Sequence, residues 1–492
     1  MAVGCEVPLV IRGRVIDTPT AAFGGRGDGM VFHACDVAEH LDELALSAPS
    51  AMADLYTLSF DDILDFLHRL GERLQLADNA YLQEAFRVSC LTSGLSESIL
   101  HHHYKEIPFY FHRDVVAGMA EGLVGIDFLE GWVERPSGSP GVSVAVRAFG
   151  ARCVHVIAGN VPAIGVMTIV RNAFTRSDAI IKSPSNDPLT ALAVARTMID
   201  MAPDHPLTRH LSVAYWKGGD DRVESYLYDP MRIEKLVAWG GLASIRHINR
   251  YLQPGIDLIT LDPKHSATII GREAFADEAT LAAVAVRLAV DIGMMNQEAC
   301  MNARVVYVES GTDAAGLARI NRLGEMTYRA LRALPEHVST PHKRFHPELR
   351  DELDALQFVE DEYRLIGGGD DSGAIIVSQH DMPVDFSAML ACRVGNLVPL
   401  DNAEQAVRCV NAYTQTIGIW PDTLKRKLRN ALAWQGTQRL VSLGGTYVLG
   451  SPATPQDGIE PVRRMCKWIV DETGEALDKI SGLPSVEAVA RG

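Results

Sequence analysis

Cys300 is the residue of this chain whose surroundings best fit a nucleophile. It lies in a short segment, residues 296–302. Before this segment, apolar residues at helical spacing predict a helix that ends at Gly293. After it, the β-branched residues 304–308 predict a strand. Connectors held by rigid elements often carry nucleophiles. Because an isolated cysteine is more often a small buried hydrophobic residue, this context has to carry the assignment.

Unusual residues also follow four apolar segments in the middle of the chain. The pattern predicts strands at 152–157, 178–182, 211–216 and 236–239, with a helix from about 163 and another capped by Asp187 with Pro188 in its first turn. Strands alternating with helices favour an open parallel sheet covered on both faces. Ligands bind at the carboxyl ends of such strands, where this chain has Asn160, Lys182, Ser185, Lys217, Trp239 and Gly240.

Each of these residues has an ordinary explanation when taken singly. Lys182 would serve as a solvated strand end, and Asn160 and the glycines as turn residues. Neither a GxGxxG nor a GxxxxGK[ST] motif occurs, so a dinucleotide would be held in another way. The hypothesis of a nucleotide crevice therefore depends on the whole row of strand ends.

Composition limits the class of protein. The 492 residues are 47% hydrophobic and 22% charged, enough for two or three globular domains, and the net charge of -16 argues against a nucleic-acid partner. Eight cysteines without a CxxC pair predict neither a metal site nor disulfides, and they favour a reducing cytoplasm. The uncharged run from Cys153 to Val170 contains Asn160 and Pro162 and is better explained as a strand followed by a helix than as a membrane span. We find no signal peptide.

The chain resembles the aldehyde dehydrogenase superfamily through motifs that occur in the family's order. They are Ala158-Gly159-Asn160-Val161-Pro162, Ile181-Lys182-Ser183-Pro184-Ser185, Trp239-Gly240-Gly241 and Gln297-Glu298-Ala299-Cys300. Within the superfamily the chain is most similar to the LuxC-like acyl-CoA reductases, typified by the fatty acid reductase of bacterial bioluminescence. The motifs that carry this finer resemblance are Gln415-Thr416-Ile417-Gly418, Gly436-Thr437-Gln438-Arg439, and Gln456-Asp457-Gly458-Ile459-Glu460-Pro461 with Trp468.

The resemblance implies an architecture and a set of site residues. Residues 1–262 would form the N-terminal region and an NADP-binding domain, 263–443 a catalytic domain, and 444–492, with a strand at 142–148, a region for oligomerisation. Cys300 would be the nucleophile, and the Asn160 amide and the Cys300 backbone N–H would stabilise the oxyanion. The nucleotide would be held by Lys182, Ser185, Trp239, Gly240 and Gly241.

One departure from the family pattern bears on the reaction. The hydrolytic aldehyde dehydrogenases have a glutamate general base where this chain has Thr260, in Thr260-Leu261-Asp262-Pro263-Lys264. Because threonine cannot activate water near neutral pH, we expect an acyl-enzyme that persists for reduction or exchange. Asp262 and Glu298 are alternative bases, although each is more simply a solvated or structural carboxylate.

The cofactor prediction depends on Ser185. Relatives that prefer NAD usually have glutamate at this position, where it binds the adenine ribose. Serine does not repel a 2′-phosphate, and Lys182 offers that phosphate a cation, so we predict NADPH.

These observations predict reduction of an acyl thioester, carried by CoA, a carrier protein or an acylating partner, to an aldehyde. The enzyme would be a homo-oligomer, dimeric or tetrameric, without a membrane span. Two alternatives remain open: oxidation of an aldehyde to an acid, and an acyl-transfer or scaffold subunit that uses no nucleotide.

Overall fold

The computed structural model describes residues 4–24, 30–138, 141–446, 453–474 and 489–490. The tripeptide Arg26-Gly27-Asp28, by our interpretation a coincidental loop sequence, lies outside the described residues. The segment 444–492 is therefore described only in part.

The described residues form twenty strands. They are β1 Cys5–Val7, β2 Leu9–Ile11, β3 Arg14–Ile16, β4 Ala21–Gly24, β5 Val31–Ala34, β6 Val133–Arg135, β7 Val142–Phe149, β8 Arg152–Val156, β9 Asp178–Lys182, β10 Leu211–Ala214, β11 Lys235–Trp239, β12 Asp257–Leu261, β13 His265–Ile270, β14 Ala303–Val308, β15 Tyr363–Gly367, β16 Ala374–Ser378, β17 Val394–Pro399, β18 Thr414–Trp420, β19 Arg439–Ser442 and β20 Lys467–Gly474.

The same part of the chain forms sixteen α-helices. They are α1 Leu41–Leu44, α2 Phe60–Arg73, α3 Ala80–Thr92, α4 Glu97–Lys105, α5 Arg113–Leu123, α6 Ile126–Glu130, α7 Ala163–Phe174, α8 Thr190–Met201, α9 Pro206–Arg209, α10 Asp221–Leu227, α11 Leu242–Ile248, α12 Glu278–Gly293, α13 Ala314–Arg332, α14 Pro347–Leu356, α15 Asp422–Gln435 and α16 Pro461–Met465.

Two seven-stranded sheets form the body of the molecule. The first has the order β12-β11-β8-β9-β10-β2-β3, and its five strands from β8 to β12 are mutually parallel. The second has the order β15-β16-β17-β14-β13-β18-β19 and is parallel except at β15. The chain passes from one sheet to the other between Leu261 and His265. The predicted α/β class is confirmed.

Buried strands explain the apolar runs in the sequence. Every residue of β8 is buried, as expected for a parallel strand covered on both faces. The uncharged run from Cys153 to Val170 is β8 followed by α7, as predicted. None of the described helices combines the length and the apolar character needed to cross a bilayer.

Two predicted boundaries are wrong by two residues. The strand predicted at 211–216 ends at Ala214, and α8 begins at Thr190, two residues later than an Asp187 cap with Pro188 in the first turn would require. Asp187 still serves the helix start, because its carboxylate accepts hydrogen bonds from the Thr190 N–H (3.2 Å) and hydroxyl (2.5 Å). A carboxylate can reach the first turn from beyond the cap position, which sequence spacing alone does not reveal.

A smaller three-stranded sheet joins distant parts of the chain. Its order is β20-β7-β6, and β7 pairs antiparallel with β20 over its full length, from Val142 opposite Gly474 to Phe149 opposite Lys467. The strand predicted at 142–148 is therefore present. A further small sheet, β1-β5-β4, lies near the N-terminus.

Candidate active site

The Cys300 connector is strained and tightly held. Met295, Asn296 and Gln297 have left-handed φ angles of 52°, 54° and 67°. Three consecutive non-glycine residues in this region are costly, and such strain persists only where surrounding contacts impose it. The chain leaves α12 at Gly293, where an added Cβ would lie 2.4 Å from a Leu331 methyl group.

Side-chain amides supply those contacts. Gln297 donates to the carbonyl oxygens of Ala303 and Val394 (both 2.9 Å) and accepts from the Val394 N–H (2.8 Å). Asn302 accepts from the Ala299 N–H (3.1 Å) and donates to the Met294 carbonyl (3.0 Å). These bonds fix the backbone on both sides of Cys300. Neither amide has a role that the sequence alone predicts.

Cys300 is an exposed residue of this connector. The protein atoms around it nevertheless remove enough water to raise the pKa of the thiol, and the negative charge of Asp457 raises it further. A hydrogen bond from the Gln415 side chain opposes both effects. Of the other cysteines only Cys409 is exposed, whereas Cys153 is buried.

Asn160 comes to the nucleophile from the first sheet. It follows β8, and its Nδ2 donates to the Glu298 carbonyl oxygen at 3.1 Å, two residues before Cys300. Its Oδ1 is buried and has no hydrogen-bond partner among the described residues. The two residues predicted to act together therefore meet at one connector.

The alternative bases have different surroundings. Glu298 forms an ion pair with His342, Oε1 to Nε2, at 2.7 Å, which makes it a structural carboxylate. Thr260 lies in β12, the strand that pairs with β11. Asp262 raises the pKa of Asp457 through its charge. The carboxylate whose charge acts on the thiol is Asp457, which lies in a family motif and had no predicted role.

Asp457 and Gln415 belong to a polar cluster that was not predicted from the sequence. Gln415 Nε2 donates to Asp457 Oδ1 at 2.7 Å, and the Gln438 N–H donates to the Gln415 carbonyl oxygen at 3.2 Å. Arg439 contacts the Met301 sulfur at 3.6 Å. The available signal was that Gln415, Gln438, Arg439 and Asp457 lie in the motifs shared with the LuxC-like branch.

The residues predicted to bind a nucleotide lie at or just after the carboxyl ends of strands in the first sheet. Lys182 ends β9 and Trp239 ends β11, and both strands flank β8 in parallel. Ser185 follows in the turn after Lys182, while Gly240 and Gly241 lead into α11. The topology therefore brings together the strand ends that the sequence singled out.

Lys182 has surroundings that suit an anion. Burial lowers the pKa of its ammonium group to about 8, partly opposed by Glu224. Its Nζ lies 5.7 Å from the Tyr215 ring centre and 5.5 Å from that of Trp216, and no carboxylate in the described ranges forms an ion pair with it. The Glu224 carboxylate instead binds the Gly219 N–H (3.1 Å) and His247 (2.5 Å). An enclosed cation without a partner fits a phosphate group.

No group of three candidate metal ligands occurs within the part of the chain that the structure describes.

Comparison with known proteins supports the fold and the family. The fold is similar to that of lactaldehyde dehydrogenase from Escherichia coli (TM-score 0.71, 15% identity, 96% of this chain and 100% of that one). It is also similar to NADP-dependent glyceraldehyde-3-phosphate dehydrogenase from Bacillus halodurans C-125 in complex with NADP (TM-score 0.71, 12% identity, 95% and 99% coverage). The aldehyde dehydrogenase-like fold expected from the motifs is confirmed.

Relatives in sequence are long-chain acyl-protein thioester reductases. The protein of that name from Photorhabdus laumondii subsp. laumondii is 32% identical over 334 residues, which is 66% of this chain and 65% of the relative. The one from Vibrio harveyi is 24% identical over 473 residues, 95% of this chain and 93% of the relative. A family model described as acyl-CoA reductase (LuxC) matches residues 55–468. The resemblance found in the motifs is thus confirmed, and the chain belongs to the LuxC family of acyl-CoA reductases.

Proposed function

We propose that this protein reduces an acyl thioester to an aldehyde with NADPH, through an acyl group on Cys300. The observation that carries the proposal is the exposed residue Cys300 on a rigid connector, with the Asn160 amide at the same connector. The names of the relatives support a thioester as the substrate.

Acylation begins with the Cys300 thiolate. The sulfur attacks the thioester carbonyl carbon, the carbonyl oxygen becomes an oxyanion, and the donor thiolate leaves with the electrons of the broken C–S bond. Asn160 and the Cys300 N–H are the proposed oxyanion donors. For Asn160 this requires that its Nδ2, which binds the Glu298 carbonyl at 3.1 Å, also reach the substrate with its second N–H.

The residues around the connector favour an acyl-enzyme that is not hydrolysed. Thr260 stands where the hydrolytic relatives have a glutamate, and Glu298 is engaged by His342. Because neither of these two residues is available as a base to activate water, we expect the thioester to persist until hydride arrives. Meanwhile the rigid connector holds the carbonyl carbon of the acyl group in one position.

The nucleotide would bind at the carboxyl ends of the strands of the first sheet. Lys182 and Ser185 would hold the 2′-phosphate, while Trp239, Gly240 and Gly241 would border the nucleotide at the next strand end. NADPH, when bound there, supplies the hydride. Lys182 suits this role because its ammonium group lies by the Tyr215 and Trp216 rings and forms no ion pair with a carboxylate of the described residues.

The donor and the assembly are also proposals. The acyl group would come from acyl-CoA, an acyl carrier protein or an acylating partner protein. We propose a homo-oligomer, a dimer or tetramer, that contacts its copies through the β20-β7-β6 sheet. Eight free cysteines suit a reducing cytoplasm.

Mass spectrometry of the intact protein tests the proposal. After incubation with a panel of acyl-CoAs, we expect a mass increase of one acyl group, which disappears when NADPH is added as aldehyde accumulates. Acylation that NADPH does not discharge would favour the acyl-transfer subunit, and NADP-dependent conversion of aldehyde to free acid would favour the oxidative dehydrogenase.

A further inference from the structure

Ser266 binds the backbone of the nucleophile directly. It lies in β13 and is 2% exposed, and its Oγ donates to the Cys300 carbonyl oxygen at 2.8 Å. The same Oγ accepts a hydrogen bond from the Thr416 N–H of β18 at 3.2 Å. Because a hydroxyl group has one proton to donate, the proton of Ser266 is committed to Cys300.

Strand β13 is irregular at this residue on both of its sides. Its pairing with β14 shifts register between Ser266 and Ala267, and its pairing with β18 shifts between His265 and Ala267. Irregularities of this kind often re-aim a side chain beside an active site. Here the Ser266 hydroxyl group bonds to β18 on one side and to the connector before β14 on the other.

The carbonyl group that Ser266 binds belongs to a tight turn. The Asn302 N–H donates to the Ala299 carbonyl oxygen at 3.1 Å, so Cys300 and Met301 occupy the two central positions of a β-turn. The N–H groups of these two central residues form no hydrogen bond with another residue of the described ranges. Both are therefore available to a substrate.

Ser266 determines which way the central peptide of this turn faces. The peptide is trans, so its C=O and N–H groups point in opposite directions, and holding the Cys300 oxygen at β13 directs the Met301 N–H away from β13. Type I and type II turns differ mainly by a flip of the central peptide, which exchanges the two groups. A flipped peptide would present the Cys300 carbonyl oxygen where the intact turn presents an N–H donor.

We propose that Ser266 is a positioning residue, which holds the peptide between Cys300 and Met301 so that the N–H groups of both residues donate to the oxyanion. The proposal rests on the proposed function, to which it adds the Met301 N–H as a donor. Preorganised donors stabilise a transition state because they need not reorient during the reaction. The hydrogen bond from Ser266 thus acts on the acyl-transfer step and not on the thiol.

The test compares two reactions of Cys300 in the full-length protein. In acylation by p-nitrophenyl acetate, the sulfur attacks the carbonyl carbon, an oxyanion forms, and p-nitrophenolate leaves with the electrons of the broken C–O bond. Alkylation by iodoacetamide displaces iodide directly and forms no oxyanion. Both rates are measured at one pH, and mass spectrometry of the Cys300 peptide assigns them to this residue.

Two pairs of proteins differ in the hydroxyl group at this position. Ser266→Ala is compared with the wild type, and Ser266→Val with Ser266→Thr, whose side chain has the same shape; the second pair decides the question if Ser266→Ala does not fold. In each pair the protein with the hydroxyl group should be acylated about tenfold faster, whereas alkylation should differ less than about twofold.

Thr268→Val is the matched control. It removes a buried hydroxyl group of the same strand that has no hydrogen-bond partner among the described residues. Both rates should remain those of the wild type, because no contact with the connector is lost.

Equal acylation rates within both pairs would overturn the proposal. Alkylation that slows as much as acylation would overturn it too, because Ser266 would then act on the thiol or on the whole site. Neither reagent requires acyl-CoA or a nucleotide. Proteins that show the expected pattern but take no acyl group from acyl-CoA would contradict the proposed function alone. Acylation by acyl-CoA at equal rates within both pairs would contradict the Ser266 proposal alone.

Discussion

At Cys300, burial and the charge of Asp457 raise the pKa of the thiol, while the Gln415 hydrogen bond lowers it. The net direction is upward, so most of the thiol is protonated near neutral pH. The reactive form is the thiolate, and a group that stabilises it accelerates attack. The surroundings of the sulfur thus set how much of it is in the reactive form.

Asn160→Ala tests the proposed oxyanion donor. Loss of one such donor should cost about 2 kcal/mol or more of transition-state stabilisation, so acylation and reduction should both slow while NADPH affinity changes little. Single-turnover kinetics and nucleotide titration measure the two effects. If turnover is unchanged and only binding weakens, Asn160 does not act on the oxyanion.

Ser185→Glu and Lys182→Ala test the cofactor site. The new carboxylate should oppose the 2′-phosphate and narrow or reverse the preference for NADPH over NADH, and loss of the Lys182 cation should weaken NADPH more than NADH. Fluorescence titration of both nucleotides into the wild type and the two variants measures this. A wild type that prefers NADH would refute the Ser185 argument, although the thioester chemistry would stand.

The sequence singled out Cys300, Asn160 and Lys182 as candidates because each lies next to a strand or helix that its own neighbours predict. It gave no role to Gln415 or Asp457, since their relation to Cys300 exists only after β18 and the loop before α16 pack against the connector. Among the alternative bases, Glu298 forms an ion pair with His342. Nothing in the sequence around His342 predicts this contact.

At the scale of elements, α12 and β14 were predictable from periodicity, but the conformation between them was not. The left-handed angles of residues 295–297 follow from bonds to Val394 and Thr340, which belong to other parts of the chain. Helix α12 is anchored again near its end. Its buried Asp291 accepts from the Gly444 N–H (3.0 Å) and the Thr446 N–H (3.1 Å) and hydroxyl (2.7 Å).

Asp291 should make stability depend on pH. Burial raises its pKa from 3.8 to about 6, so between these values the folded protein keeps a proton that the unfolded chain releases. The contribution of Asp291 to stability therefore falls by about 3 kcal/mol as pH rises through this window, and it stays constant above the window. Asp187, whose pKa is also raised to about 6, should add a similar effect.

Asp291→Asn should remove about half of the pH dependence of stability that Asp291 and Asp187 produce together. The variant should also be less stable overall, because the asparagine NH₂ group would face the Gly444 N–H, a donor that Asp291 Oδ2 accepts at 3.0 Å. Urea unfolding of the wild type and the variant from pH 4 to 7 measures both quantities. A variant whose stability has the same pH slope as the wild type would show that Asp291 ionises normally.

At the scale of the whole molecule, the division into two parallel sheets follows the alternation of strands and helices in the sequence. The β20-β7-β6 sheet could not be predicted in the same way, since β7 and β20 lie far apart in the chain. β20 forms one edge of this sheet and exposes Ile469 (44%) and Val470 (53%). An edge strand with exposed apolar residues is suited to pairing with another chain.

Replacing both Ile469 and Val470 by lysine tests the proposed oligomer contact. Charges on an edge strand oppose pairing between chains, so the double variant should have a smaller mass in solution than the wild type. Light scattering coupled to size-exclusion chromatography measures the mass. Phe358→Lys, at an 89% exposed residue after α14, is the matched control and should leave the mass unchanged. Equal masses for the wild type and the double variant would place the contact elsewhere.

The central claim is that the acyl group passes through Cys300 and leaves as an aldehyde. The most direct measurement is peptide mapping of the protein after incubation with a long-chain acyl-CoA, followed by addition of NADPH and analysis of the product. We predict that the acyl group is on the Cys300 peptide and that NADPH releases it as aldehyde. Cys300→Ala should carry no acyl group. Cys409→Ala, a change at the other exposed cysteine, should behave as the wild type. Acylation that persists in Cys300→Ala, or release as free acid instead of aldehyde, would contradict the account.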